Sequence, residues 1–137
     1  RTEEFGRIST LREYVDLTIR KLMGIDNYTA REFSSEIPEI LCLSLIVEVI
    51  AVYPELKQVV AESKMLRLSK LEQLILNAKL AGELRPEIET SVLAKNLLNI
   101  GAGVLNYLIM HQDVSYALSS VRLQYEQLYL LASKTEE

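Results

Sequence analysis

The chain is expected to fold as an all-α protein: one domain, residues 1–137, built as an antiparallel bundle of about five to six helices. Three observations point this way. Leu, Ala, Glu and Lys dominate the long stretches, and these residue types have high helix propensity. Gly6, Gly24, Gly82, Pro38, Pro54 and Pro86 fall between those stretches, where breaks belong. No hairpin dipeptide and no sustained alternation of period two marks a strand.

The first helix should run from about Ser9 to Met23. Thr10 and Glu13 have the spacing of a capping box, and Ile8, Leu11, Val15, Ile19 and Leu22 recur at helical steps along one face. Arg20 and Lys21 suit the negative pole of the helix dipole, and Gly24 can supply the left-handed terminating residue. Thr29 and Glu32 repeat the capping-box spacing, so a short turn of helix is expected within Ile25 to Ser35. A second long helix should then run from about Glu36 to Tyr53, with Pro38 in its first turn. Its circumference is apolar except for one stripe holding Glu36, Ser44, Glu48 and Glu55, the pattern of a central helix.

Pro54 opens a third helix that reaches about Ala81. Leu56, Val59, Val60 and Ser63 form its first face, and Leu68, Leu71, Leu74, Ile75 and Ala78 continue it after a charged interruption. Gly82-Glu83-Leu84-Arg85-Pro86 is a stop signal: a left-handed cap, an apolar residue folding back, then proline. The fourth helix, Thr90 to about His111, is apolar on two sides and carries Gly101 and Gly103 mid-helix, where close approach of another backbone is the expected reason. The fifth, from Val114 to about Ser133 with Asp113 as N-cap, has the cleanest stripe. Val114, Leu118, Val121, Tyr125, Leu128 and Ala132 follow a four-three alternation, the seam of a shallow helix crossing. Leu123, Leu130 and Leu131 lie off that seam. The surplus suggests a two-fold dimer through the last two helices, using Leu97, Ile100, Gly101, Val104 and Leu108 from one, and Val114, Leu118, Val121, Tyr125 and Leu128 from the other. A charged residue at Leu118 or Leu128 should then give a monomer.

Composition excludes several classes. With 49% apolar residues, folding should bury roughly two-thirds of the unfolded surface, so disorder is not expected. Cys42 is the lone cysteine, which rules out an internal disulfide scaffold and suggests a reducing, cytoplasmic setting. Ile40 to Val52 is the longest nearly uncharged apolar stretch; Glu48 interrupts it and it is shorter than the roughly 18 residues a bilayer needs. The formal charge is −4, with basic residues scattered in ones and twos, so direct nucleic-acid binding by this piece is not expected. No secretory signal opens the chain, and Arg1 in place of an initiating Met suggests the edge of a fragment.

The chain resembles the C-terminal regulatory domain of the TetR family of bacterial transcriptional repressors. The likeness rests on Tyr53-Pro54-Glu55-Leu56 opening a long helix and Ala81-Gly82-Glu83-Leu84-Arg85-Pro86-Glu87-Ile88-Glu89 closing it. Two final helices follow, the first with Asn99-Ile100-Gly101-Ala102-Gly103-Val104-Leu105 near its middle. It covers about Ile8 to Lys134. The resemblance implies a repressor gated by a small effector, with a helix-turn-helix domain upstream that binds operator DNA as a dimer. The last two helices would form a four-helix bundle with the other subunit. It divides the chain into an effector-binding core, 8–89, and dimerisation helices, 90–134. The DNA-reading domain itself is missing from this sequence, and effector-contacting residues vary within the family, so none transfers by motif.

Catalytic chemistry finds little support. His111 is the only histidine, so no multi-histidine metal site exists, and its place at a helix end suits dipole capping. Cys42 reads as a buried, inert thiol, and no phosphate loop or nucleophile elbow is present. Glu36/Glu39 and Glu83/Glu87 read as solvated faces, and Glu48 as part of the polar stripe. No enzyme activity, metal or cofactor is expected. An effector pocket would lie among the first three long helices and the start of the fourth. Its candidate residues, with apolar bodies and polar or soft tips, are Tyr14, Thr18, Met23, Tyr28, Phe33, Tyr53, Met65 and Asn106. The ligand implied is small and hydrophobic or amphipathic. The alternative is a helical protein–protein interaction module with no such pocket.

Overall fold

The computed structural model describes residues 8–23 and 50–134. They form an all-α fold: α1 (Leu11–Met23), a 3-10 turn (Pro54–Leu56), α2 (Lys57–Leu80), α3 (Thr90–His111) and α4 (Val114–Ala132). Expectations for 24–35 and for most of the helix from Glu36, Cys42 and Glu48 among them, lie outside the described residues; of that helix, 50–52 are described and helical. α3 and α4 pack along each other, α2 packs on α3, and α1 lies on α4 and α2. Leu11 and Val15 of α1, Leu71, Ile75 and Ala78 of α2, Leu93, Leu97 and Val104 of α3, and Leu118, Val121 and Tyr125 of α4 meet in one apolar core.

Helix ends follow the chemistry of their sequences. Leu80 is the last residue of α2, and Gly82 adopts φ 81° just beyond it. The Glu83 N–H donates to the Ala78 carbonyl (2.9 Å) and the Gly82 N–H to that of Lys79 (3.1 Å), while Leu84 folds back into the core. That pairing satisfies two terminal carbonyls that would otherwise be orphaned. At α4 the Asp113 carboxylate accepts from the Tyr116 N–H at 3.1 Å. The capping box of α1 is half formed: the Glu13 N–H donates to Thr10 Oγ1 (3.1 Å), but the Glu13 carboxylate accepts from the Ser9 and Thr10 hydroxyls instead of a backbone N–H.

Three expectations need correction. The first half of α2 is not packed among the described residues, since Val59, Met65 and Leu66 are exposed, as is Leu56 in the turn before it. The line through Leu71 continues towards the N-terminus at heptad steps as Lys64 and Lys57, so the core-facing side turns charged and Val59 falls off it. Second, the close neighbour of Gly101 is a side chain rather than a backbone: a Cβ there would lie 2.8 Å from the Tyr125 hydroxyl. Third, Ile40–Val52 is not the only long apolar stretch: among the described residues α3 is long and apolar enough by length and composition to cross a membrane. Its inner side packs on α2 and α4, and its outer side carries Asn96, Asn99 and Asn106, amides that hydrocarbon would leave unsatisfied.

Candidate functional site

α4 has two apolar lines at heptad spacing, and they meet different surroundings. The inner line contains Leu118, Val121, Tyr125 and Ala132, all buried within a single chain. Leu97, Gly101 and Val104 of α3 are buried against it. These residues therefore cannot form the surface that a second copy meets, which corrects most of the expected interface. Their spacing arises because the α3–α4 hairpin closes on its own core. Ile100 and Leu128 stay half-buried at the edge and Val114 is exposed; the side chain of Leu108 lies outside the described set.

The outer line of α4 runs through Tyr116, Ser120, Leu123, Gln127 and Leu130, again in the four-three alternation, and Leu131 sits beside it. Leu123, Leu130 and Leu131 are 60%, 65% and 58% exposed, so the surplus of apolar surface is present, but on the face opposite the core. α3 matches it with Val92, Asn96, Asn99, Gly103, Asn106 and Met110 at the same alternation, also turned away from the core. Neither outer line itself contains a charge, although a quarter of the chain is charged; Lys95 borders the α3 line beside Asn99 and Asn106, Glu126 borders the α4 line beside Leu130, and Arg122 lies further round. Between the helices an open groove is lined by Asn96, Asn99, Ile100, Gln124 and Leu128. Gln124 Nε2 donates to the Tyr107 hydroxyl at 2.7 Å, which fixes one amide on the groove wall.

The expected effector residues divide into two groups. Tyr14 and Thr18 lie together on the inner side of α1, where the Thr18 hydroxyl donates to the Tyr14 carbonyl at 2.8 Å. Burial raises the Tyr14 phenol above its usual pKa, with Thr18 and Arg67 partly offsetting. Tyr125 is raised further, by burial first and then by Tyr14, against a lowering backbone hydrogen bond to Gly101. Two neutral phenols thus meet beside a glycine in an otherwise apolar interior. Tyr53, Met65 and Asn106 are exposed and do not converge on that spot among the described residues. Tyr28 and Phe33, and the side chain of Met23, lie outside them.

A residue that sequence reasoning misjudged is Glu83, expected on a solvated face. It is half-buried, and its carboxylate accepts from the Leu11 N–H (3.0 Å), the Arg12 N–H (2.9 Å) and the Tyr129 hydroxyl (2.8 Å). No local spacing could signal this, because the partners are 72, 71 and 46 positions away. Glu87 is exposed as expected, and His111 is exposed at the end of α3 with its ring 4.4 Å from that of Tyr116. Among the described residues no three metal-ligating side chains come together. The chain matches no known family model, no characterised protein and no solved structure.

Proposed function

We propose that the chain is the effector-binding and dimerisation domain of a TetR-type repressor, two copies of which meet through the outer face of the α3–α4 hairpin. The observation that carries this reading is the uncharged strip along the outer face, with Leu123, Leu130, Leu131, Val92 and Met110 exposed upon it. Isolated exposed leucines are ordinary; a charge-free strip along two adjacent helices favours a protein partner. Helices of this length extend roughly 30 Å, and two of them about 10 Å apart offer a face on the order of 600 Å² per partner. That is near the lower end for a stable dimer, about 1,200 Å² in total. Amides from Asn96, Asn99 and Gln124 at the groove would supply hydrogen bonds across a two-fold axis.

In this reading a small hydrophobic or amphipathic effector enters from the side of Tyr14 and Thr18 and shifts the population towards a dimer geometry unsuited to operator binding. DNA is contacted only through an upstream helix-turn-helix, and the protein works in the cytoplasm without catalysis. The test is sedimentation of the wild-type chain beside Leu123→Glu/Leu130→Glu. A wild-type dimer converted to a helical monomer supports the proposal; a wild-type monomer at tens of micromolar ends it. A charge at Leu118 does not serve as the test, because that side chain is buried inside one copy.

A helical interaction module without an effector is the second reading, favoured by the exposure of Tyr53, Met65 and Asn106. Thermal-shift screening separates the two. Stabilisation by an amphipathic compound, lost in Tyr14→Ala but kept in the outer-face variant, favours the effector domain. No stabilisation by any such compound favours the module.

A further inference from the structure

α1 is joined to the rest of the fold through its first turn. Its first backbone N–H groups, which no helix can satisfy internally, need outside acceptors. Thr10 serves Glu13, and the Tyr14 N–H already bonds the Thr10 carbonyl. The N–H groups of Leu11 and Arg12 go to the two oxygens of Glu83, one to each. Glu83 sits in the turn after α2, and the same carboxylate accepts from Tyr129 near the end of α4. The Glu83 carbonyl in turn accepts from the Lys134 N–H (3.0 Å), and Leu84 forms an isolated antiparallel bridge with Ser133. The Arg12 guanidinium lies 5.2 Å from the centre of the Tyr129 ring, over the same junction. One side chain therefore ties the start of α1 to the end of α2 and the end of α4.

Elsewhere α1 buries few side chains among the described residues. Its outer side is charged and exposed at Arg12, Glu13, Asp16 and Arg20, and it buries only Leu11, Val15 and Leu17 among the described residues. It packs on α4 and α2, whereas α3 and α4 close on each other along their whole buried seam. Elements held by few buried groups open separately from the rest of a protein. We propose that Glu83 is a latch: α1 opens as a unit from the α2–α3–α4 body, and the Glu83 carboxylate sets how often it does so. Opening uncovers the interior at Tyr14 and Tyr125, so the latch controls access to the half-buried phenol of Tyr14 and the buried phenol of Tyr125. This inference is independent of the repressor reading, since it needs neither an effector nor a second copy.

Native-state hydrogen exchange on the full chain tests it, comparing Glu83→Gln and Tyr129→Phe with wild type. Glu83→Gln keeps the size but leaves a single acceptor oxygen, so at least one of the Leu11 and Arg12 N–H groups loses its acceptor and the remaining bonds become neutral; about tenfold faster exchange is expected at Leu11, Arg12, Val15 and Leu17. Tyr129→Phe removes one donor from a half-buried site and should accelerate the same amides by a few-fold, with the fold intact. Amides of Leu97 and Val121 should keep their wild-type rates in both. Uniform acceleration across all helices, or unchanged rates in α1, would overturn the latch. If Glu83→Gln does not fold, Tyr129→Phe alone decides by the same contrast.

Discussion

The inner and outer lines of α4 share a spacing and differ in destination. Leu118 and Leu123 are both leucines on the same helix, yet one is wholly buried and the other 60% exposed. A four-three alternation identifies a seam but does not say whether the partner belongs to the same chain. The contrast can be broken most forcefully by truncation. Leu118→Ala should cost about 3 kcal/mol of unfolding free energy in urea, because it leaves a cavity at the α3–α4 crossing. Leu123→Ala should change the stability of a single copy by no more than about 0.5 kcal/mol, and under the proposed dimer its effect falls on association. Comparable losses at both sites, measured at a concentration where the chain is monomeric, would show that the outer line is packed after all.

The two glycines of α3 repeat the comparison on the facing helix. At Gly101 an added Cβ would lie 2.8 Å from the Tyr125 hydroxyl, held in the core; at Gly103 the nearest atom is Tyr107 Cε2, at 3.9 Å. Gly101→Ala should therefore destabilise by about 1–2 kcal/mol, overpacking outweighing the gain in helix propensity. Adding Tyr125→Phe removes the clashing oxygen and should recover part of that loss in a double-mutant cycle. Gly103→Ala has room and should gain up to about 1 kcal/mol in the monomer. Opposite signs for the two alanines in thermal unfolding are the expected outcome, and a shared sign would mean that the inner and outer sides of α3 are misassigned.

The same interior contact makes stability sensitive to alkali. Burial raises the phenols of Tyr14 and Tyr125, and Tyr129 is raised by its own burial and by Glu83. A group whose pKa is higher folded than unfolded holds its proton longer in the folded state, so stability is intact below the unfolded value near 10 and falls above it. Tyr125, with the largest shift, contributes a slope of at most about 1.4 kcal/mol per pH unit above that value, and the more exposed Tyr129 contributes less because solvent screens it. Tyr125→Phe should flatten the loss above pH ~10 relative to wild type. Urea midpoints across the alkaline range would reveal the difference.

Much of this was legible in the residues. The bounds of α3, the Asp113 cap and the Gly82 stop follow from local chemistry that a few neighbouring positions carry, and the exposed Leu123, Leu130 and Leu131 follow from a wheel. What escaped was contact between distant positions. Nothing beside Glu83 marks it as the acceptor for Leu11, and nothing beside Gly101 names Tyr125 as its neighbour. The choice of inner line was equally hidden, since Tyr116 and Tyr125 both fall on heptad lines of α4 and only packing against α3 separates them. The expected effector residues are a further case, because a polar tip on an apolar body is compatible with both a core edge and a surface, as the half-buried Tyr14 and the exposed Tyr53 show.

The smallest expected effect lies in the turn that makes the hairpin, and it sharpens the comparison by touching neither line. Gln112 has φ 53°, the left-handed region in which a side chain is strained, because α3 must reverse into α4 within the two residues before Val114. Gln112 is exposed, so its side chain contributes little to offset that strain. Gln112→Gly relieves it but enlarges the freedom of the unfolded chain; where φ is positive the relief outweighs that entropy, leaving a gain of about 0.5–1 kcal/mol. Gln112→Ala keeps the Cβ and should gain nothing. If Gly stabilises and Ala does not, with the sedimentation behaviour of both unchanged, the turn bears strain from closing the hairpin alone. A loss on Gly substitution would instead mean that the Gln112 side chain has a partner, and the end of the hairpin would then belong to the proposed interface rather than outside it.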